Sequence, residues 1–205
     1  MTAQRAATVP ATARSKRAEP APIPRDRILH AAARLFRERG YKGTTVRDIA
    51  DAVGILSGSL FYHFRSKEEM LLDIMREAAM TLCIRAEEVL KRTASPSERL
   101  EQFIDIELEW MVGEIKKDYL AVLVFEWREV PEAAKPELTR LHKRYHTLWA
   151  NVLEEYGQAV PMRIPADAAA RILHGALMGA MTWFRSSGRY SAQEFRDMLI
   201  RIVQA

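Results

Sequence analysis

"TTVRDIADAVGILSGSLFYHFRSKEEML", Thr44 to Leu71, carries two helix caps and a glycine stop in one uninterrupted run. Thr45 with Asp48 three residues on is a variant of the capping box, and it opens "TVRDIADAVG" as a short helix that Gly54 closes. Val46, Ile49, Ala50 and Val53 fall on one face of that helix, its buried side. The pattern predicts a further helix from about Ser57 to Phe64. Ser66 with Glu69 then forms another box and starts a long helix reaching about Thr93. A short helix, a tight turn at Gly54 and a second helix are the parts of a helix-turn-helix unit.

The second of these helices ends in four consecutive rings, Phe61, Tyr62, His63 and Phe64. Consecutive helical residues point in all directions, so one core cannot take them all. Leu60 and Phe64 are i, i+4 neighbours suited to the buried side, with Phe61 on that face or at its border. Ser57, Gly58, Ser59, Tyr62 and His63 are left pointing outward. Small residues at a helix start allow close approach to bases in a major groove, and hydroxyl and imidazole groups suit phosphates. Lys67, one turn further, lies at a helix start where backbone N–H groups also favour an anion.

Outward from this stretch the chain reads as helix throughout. Ile28, Ala32, Leu35 and Phe36 form an amphipathic stripe that ends at Gly40. "SPSE" at 95–98 supplies a cap, a proline at the first helical position and a glutamate at the third. The helix beyond it carries Leu100, Phe103, Ile104, Ile106, Leu108, Trp110 and Met111. Segments near 118–129 and from about Pro136 to Tyr156 follow. One from about Asp167 to Ser187 is stopped by Gly188, and a last helix is capped by Ser191 with Glu194. No stretch shows convincing period-2 alternation. The fold class is all-α: an N-terminal three-helix reader with a larger helical body.

Charge divides the same way. Residues 1–70 hold 13 Lys/Arg against 7 Asp/Glu, a net +6, and the remainder holds 18 against 20, a net −2. The basic excess is thus confined to the N-terminal third, where it can attract a polyanion. "MTAQRAATVPATARSKRAEPAPIPR" has no apolar core of a secretory signal, and its prolines oppose an amphipathic helix, so 1–23 reads as a disordered basic arm. No apolar run approaches the ~20 residues of a membrane span. The single cysteine, Cys83, sits among apolar neighbours, fits a reducing cytoplasm and reads as a buried, inert thiol.

The Thr44–Leu71 stretch closely resembles the DNA-binding signature of the tetracycline-repressor (TetR) family: a Thr-Thr start, an "IA..AGV" second helix and a recognition helix ending in "YHF.SKE.L". The likeness covers about 25–75. It implies that Thr45 contacts a phosphate, that Ser57, Gly58 and Ser59 face the groove, and that Tyr62, His63 and Lys67 anchor the DNA backbone. Leu56 stands at the usual serine cap, Ser57 at a frequent lysine, and Phe61 where tyrosine is common. The wording "GILSGSL" is also similar to that of relatives from lipid and steroid catabolism, which is analogy alone.

The resemblance further implies a cytoplasmic homodimer that binds double-stranded DNA, built from a reader at 24–70 (motif 45–64) and a ligand-binding and dimerisation domain at 71–205. "HGALMGAMTWF" agrees, because Gly175 and Gly179 lie four apart and permit close helix approach. Trp110, Phe125, Arg128, Tyr145, Trp149, His174 and Met178 are the candidate effector contacts. Aromatic and Met side chains suit a bulky apolar ligand, and Arg128, Arg140, His142 and His174 could meet an anionic group. An acyl thioester of coenzyme A or a hydrophobic acid is the expected effector, and its binding is expected to release the protein from a pseudo-palindromic operator. No resident cofactor or metal is expected. His142 and His146 have i, i+4 spacing, but neither HExxH nor a nearby Cys accompanies them. A helical enzyme and a DNA-independent interaction module remain alternatives. Against the enzyme, the chain has no Ser-His-Asp context, no Gly-rich phosphate loop and no placed nucleophilic Cys. The interaction module predicts that no operator fragment is bound.

Overall fold

The computed structural model describes residues 24–205 except 94 and 186, so the basic arm expected at 1–23 lies outside the described residues. The first helix, α1 (Arg25–Arg39), buries the expected Ile28, Ala32, Leu35 and Phe36. In α2 (Val46–Val53) the Thr45 hydroxyl accepts from Asp48 N–H while the Asp48 carboxylate accepts from Thr45 N–H, a complete capping box. Gly54 closes it in the left-handed conformation, φ 77°, which is strained for residues with a Cβ.

The recognition helix, α3 (Ser57–Leu60), is shorter than the sequence predicts. Beyond Leu60 the chain continues in tighter turns: Tyr62 N–H donates to Ser59 C=O and His63 N–H to Leu60 C=O, each three residues back. Ser66 then caps α4 (Lys67–Arg92) by accepting from Glu69 N–H at 3.1 Å. Ser95 caps α5 (Pro96–Val112), with proline at its first position.

Where one segment was expected at 118–129, α6 (Lys116–Phe125) stops and a short 3-10 turn, Trp127–Glu129, follows. The long α7 (Lys135–Ala159) leads to α8 (Ala166–Ala180) and α9 (Ala192–Val203), the last opened by the Ser191/Glu194 capping box. The eighth helix ends well before the expected Ser187. Side chains there take carbonyls that a longer helix would use: Thr182 Oγ1 donates to Gly179 C=O at 2.8 Å, and Arg185 donates to Phe184 C=O at 2.8 Å. Among the described residues these nine α-helices occur with no β-strand, only an isolated bridge between Met162 and Gln204.

Helix α4 is the spine, packing on α1 at one end and on α5, α6 and α7 along its length. One continuous core runs from Phe36 and Phe64 to Trp149 and Tyr156. Cys83 is fully buried, and desolvation raises its pKa, as expected of an inert thiol. No helix of the described residues is long and apolar enough to cross a membrane.

Candidate DNA-reading surface and effector cavity

The short α3 divides the aromatic run. Leu60 and Phe64 are buried, and Arg25 lies over the Phe64 ring at 4.4 Å. Tyr62 is 90% exposed, and Phe61, at 57%, turns outward instead of joining the core face. Gly58 has open space where a side chain would project, while Ser57, Ser59 and His63 are half-buried beside it. These residues present a small-featured surface with two outward rings and hydroxyls, the shape a groove admits. Leu56 opens α3 without a side-chain cap and is itself exposed.

Two expected phosphate contacts have prior engagements. Thr45 Oγ1 donates to Asp48 Oδ2 at 2.5 Å and accepts from Asp48 N–H at 3.1 Å, so its hydroxyl holds α2 together. Lys67 Nζ donates to Tyr41 C=O and Thr44 C=O, both at 2.7 Å, and sits over the Tyr41 ring at 4.0 Å. Partial burial lowers the Lys67 pKa. Lys67 therefore pins the α1–α2 connection to the start of α4, with one of its three ammonium protons still uncommitted.

A cavity of about 470 Å³ lies in the helical body, walled by α4, α5, α6, the 3-10 turn, α7 and α8. Its wall is mostly apolar, with Leu82, Leu120, Leu123, Leu138 and Met178 among the lining residues. One part is polar. Glu107 on α5 is fully buried there, and Tyr145 on α7 donates to its Oε1 at 2.8 Å. His174 on α8 places Nδ1 3.7 Å from the same oxygen. Glu107 Oε2 and His174 Nδ1 have no hydrogen-bond partner.

Burial pushes the Glu107 carboxyl up to about 7, against the opposing pull of Tyr145 and the nearby Trp149. Burial, with His146 and His142 alongside, brings His174 down to about 4. The His142, His146 and His174 rings stack edge to face, with centroids 4.2 Å and 4.6 Å apart. Among the described residues no His/Cys/Asp/Glu group is arranged to hold a metal ion.

Residues 28–74 match the family described as bacterial regulatory proteins of the tetR family, and 93–205 match the tetracyclin repressor-like C-terminal domain. The chain belongs to the TetR family. It is 32% identical over 184 residues to the HTH-type transcriptional repressor KstR2 of Mycobacterium tuberculosis, spanning 87% of this chain and 90% of that protein. The solved ketosteroid transcriptional regulator KstR2 of that organism is similar with a TM-score of 0.77 at 29% identity, covering 88% of this chain and 95% of the other. AibR in complex with isovaleryl coenzyme A and operator DNA has a TM-score of 0.77 at 22% identity, over 87% and 97% of the two chains, a likeness of fold alone. This chain is a TetR-family transcriptional regulator.

Of the seven effector contacts expected in the TetR-family body, Tyr145, His174 and Met178 line the cavity. The other four do not. Trp110 and Trp149 are buried among core side chains, and Trp149 packs edge to face on Phe103 at 5.5 Å. Phe125 is 56% exposed and borders a second cleft with Arg37, Lys117 and Arg185. Arg128 is exposed on the 3-10 turn, and neither it nor Arg140 reaches the cavity wall. Aromatic content could not separate core from pocket because both use the same side chains.

Glu107, the carboxyl of the cavity, is absent from the residues the sequence singles out. Glu107 had a legible signal. It stands four residues after Phe103 and three after Ile104, so the apolar stripe of α5 carries a carboxyl inward.

The cavity and the reader share α6. Leu120, Leu123 and Val124 face the cavity, and Trp127 follows in the 3-10 turn. The same segment grips the reader through polar groups: Asp118 Oδ1 lies 2.5 Å from Arg37 Nε, and Glu126 Oε1 accepts from Tyr41 N–H at 3.2 Å. Glu129 pairs with Lys42 at 2.9 Å.

Proposed function

We propose that this regulator binds a pseudo-palindromic operator as a homodimer, and that a small, largely apolar effector entering the cavity among α4–α8 releases it. The observation that carries the reading is the double role of α6 and its 3-10 turn, one side against the cavity and the other bonded to the reader. An effector that binds better to one α6 position shifts the population toward the matching reader orientation. Two recognition helices in a dimer must sit ~34 Å apart, or a multiple, to meet successive major grooves, so a small rotation suffices for release.

In this reading the arm at 1–23 and the reader at 24–70 serve DNA, and 71–205 serves effector and partner, with α4 crossing between them. Ser57, Gly58 and Ser59 face the bases, while Tyr62 and His63 meet phosphates. Thr45 and Lys67 contribute chiefly by fixing α2 and the start of α4, with any phosphate contact additional to those bonds. For dimerisation, Ile172, Trp183 and Ile202 are exposed on or after α8 and α9, and Gly175 and Gly179 leave open space for a closely packed partner helix.

The described cavity lining contains no Lys or Arg, so a free carboxylate would be desolvated there without a countercharge. An acyl thioester whose neutral acyl part enters the cavity, with its charged remainder outside, fits better. The role is regulatory, without catalysis, and cytoplasmic. Selection of bound fragments from the organism's own DNA, followed by a thermal-shift panel of acyl thioesters and apolar acids, tests the reading. It predicts a two-fold-symmetric site and stabilisation by at least one apolar compound. Failure to enrich any sequence would overturn the operator, and a flat panel would overturn the effector class.

A further inference from the structure

The apolar wall says little about which apolar body enters, but the polar end is selective. Glu107 is a fully buried carboxyl that lines the cavity; its Oε1 accepts from the Tyr145 hydroxyl at 2.8 Å, and the Trp149 indole N–H, itself without a hydrogen-bond partner, lies close enough to favour the ionised carboxyl. Glu107 Oε2 and the nearby His174 Nδ1 lack partners. A buried polar atom without a partner costs free energy, and a ligand that supplies the missing bond gains from relieving it.

We propose that the effector carries an aliphatic hydroxyl seated between Glu107 Oε2 and His174 Nδ1, on an otherwise apolar body. The inference rests on the cavity being the effector site.

A hydroxyl both donates and accepts, so it satisfies both atoms whichever holds a proton. If Glu107 is neutral, Oε2–H donates to the hydroxyl and the hydroxyl donates to the imidazole. If Glu107 is ionised, the hydroxyl donates to the carboxylate and accepts from the other imidazole tautomer. A ketone only accepts, and so has no bond to offer an ionised Glu107. A carboxylate would meet a second carboxyl and no cation. An ammonium would require a charge pair in an apolar enclosure, where desolvation offsets the attraction.

The test uses a matched set on the full chain: decalin, decahydro-2-naphthol, decahydro-2-naphthalenone, decahydro-2-naphthoate and decahydro-2-naphthylamine. Dissociation constants come from calorimetry. The alcohol should bind ~10-fold or more tighter than decalin, and tighter than the ketone, acid and amine. Glu107→Leu should erase the advantage of the alcohol over decalin. Glu107→Gln, which still offers a donor and an acceptor, should retain most of it.

Equal binding of alcohol and decalin, or a preference for the acid or amine, overturns the hydroxyl assignment and leaves the cavity reading standing. Should Glu107→Leu not fold, the wild-type ranking still decides. Ala79→Phe, which fills the cavity from α4, separates the two claims: it should abolish binding of the whole set. Unchanged binding in that variant, or no binding of any member to wild type, overturns the cavity reading and this inference with it.

Discussion

The reader and the effector cavity are built on opposite plans. In the reader, the residues proposed to meet DNA lie within one short stretch, Thr45 to Lys67, and local caps and turns fix their directions. In the cavity, the wall draws on residues from Ala79 to Met178, brought together only when α4 to α8 pack. A reader built this way keeps its chemistry on exposed side chains that neighbours in sequence position. A cavity built this way depends on distant helices and buries its carboxyl, Glu107, beside Tyr145 and His174. The first plan is robust to changes elsewhere in the chain, and the second is free to take a new ligand whenever one wall residue changes.

The harshest way to break the contrast is to remove the ring that ties the reader to the core. Phe64→Ala should cost about 3–5 kcal/mol of stability in denaturant titrations and abolish operator binding, because the cavity left under α3 cannot refill.

A pH series on Glu107 sharpens the other side. Its pKa rises from an ordinary 4.5 to about 7 on folding, so the folded state holds the proton more tightly. The resulting stability is fully present below 4.5 and is lost as pH climbs through 7. Glu107→Gln cannot lose it, and the variant should therefore gain on wild type across that window, by roughly 1–3 kcal/mol. His174 works in the opposite sense, losing stability as pH falls from 6.5 toward 4, but it is common to both proteins and drops out of the difference. A stability difference that stays flat from pH 4.5 to 7.5 would contradict the buried, protonated Glu107.

How much of each region could be read beforehand follows from the same contrast. Thr45/Asp48, Gly54 and Ser66/Glu69 are local signals, and all three place element ends where the structure has them. Periodicity puts Phe61 on the core face or at its border because it assumes a helix through Phe64. The helix stops at Leu60, and the turn that follows rotates the ring into solvent. Lys67 and Thr45 looked free for phosphates because sequence shows side chains and not the carbonyls and carboxylates that claim them. In the body, helix existence was legible, whereas Trp110 and Trp149 could not be told from cavity residues. Whether a tryptophan sees a core or a pocket depends on how its helix is rotated against four others.

The link between the regions is open to a milder attack. Asp118→Ala combined with Glu126→Ala removes two bonds from α6 and its C-terminal end to the reader, and neither residue lines the cavity. Operator and effector should each still bind, but the fall in operator affinity caused by effector should shrink ~5–10-fold. An unaltered coupling would place the transmission elsewhere, with α4 the first candidate.

The smallest effect belongs to Tyr62→Phe. Loss of one exposed hydroxyl should leave stability within about 0.5 kcal/mol of wild type and weaken binding by about 0.5–1.5 kcal/mol on all DNA sequences alike. Ser57→Ala and Ser59→Ala should instead change which sequence is preferred. A sequence-selective effect of Tyr62→Phe would move that side chain from phosphate to base.

The most direct test of the whole account is fluorescence anisotropy of a labelled operator fragment selected by the protein itself. It is titrated with the strongest binder from a panel of apolar alcohols, acids and acyl thioesters, in wild type and in Ala79→Phe. Release is expected from wild type and none from the filled-cavity variant, which still holds the operator. Release that persists with the cavity filled would contradict it.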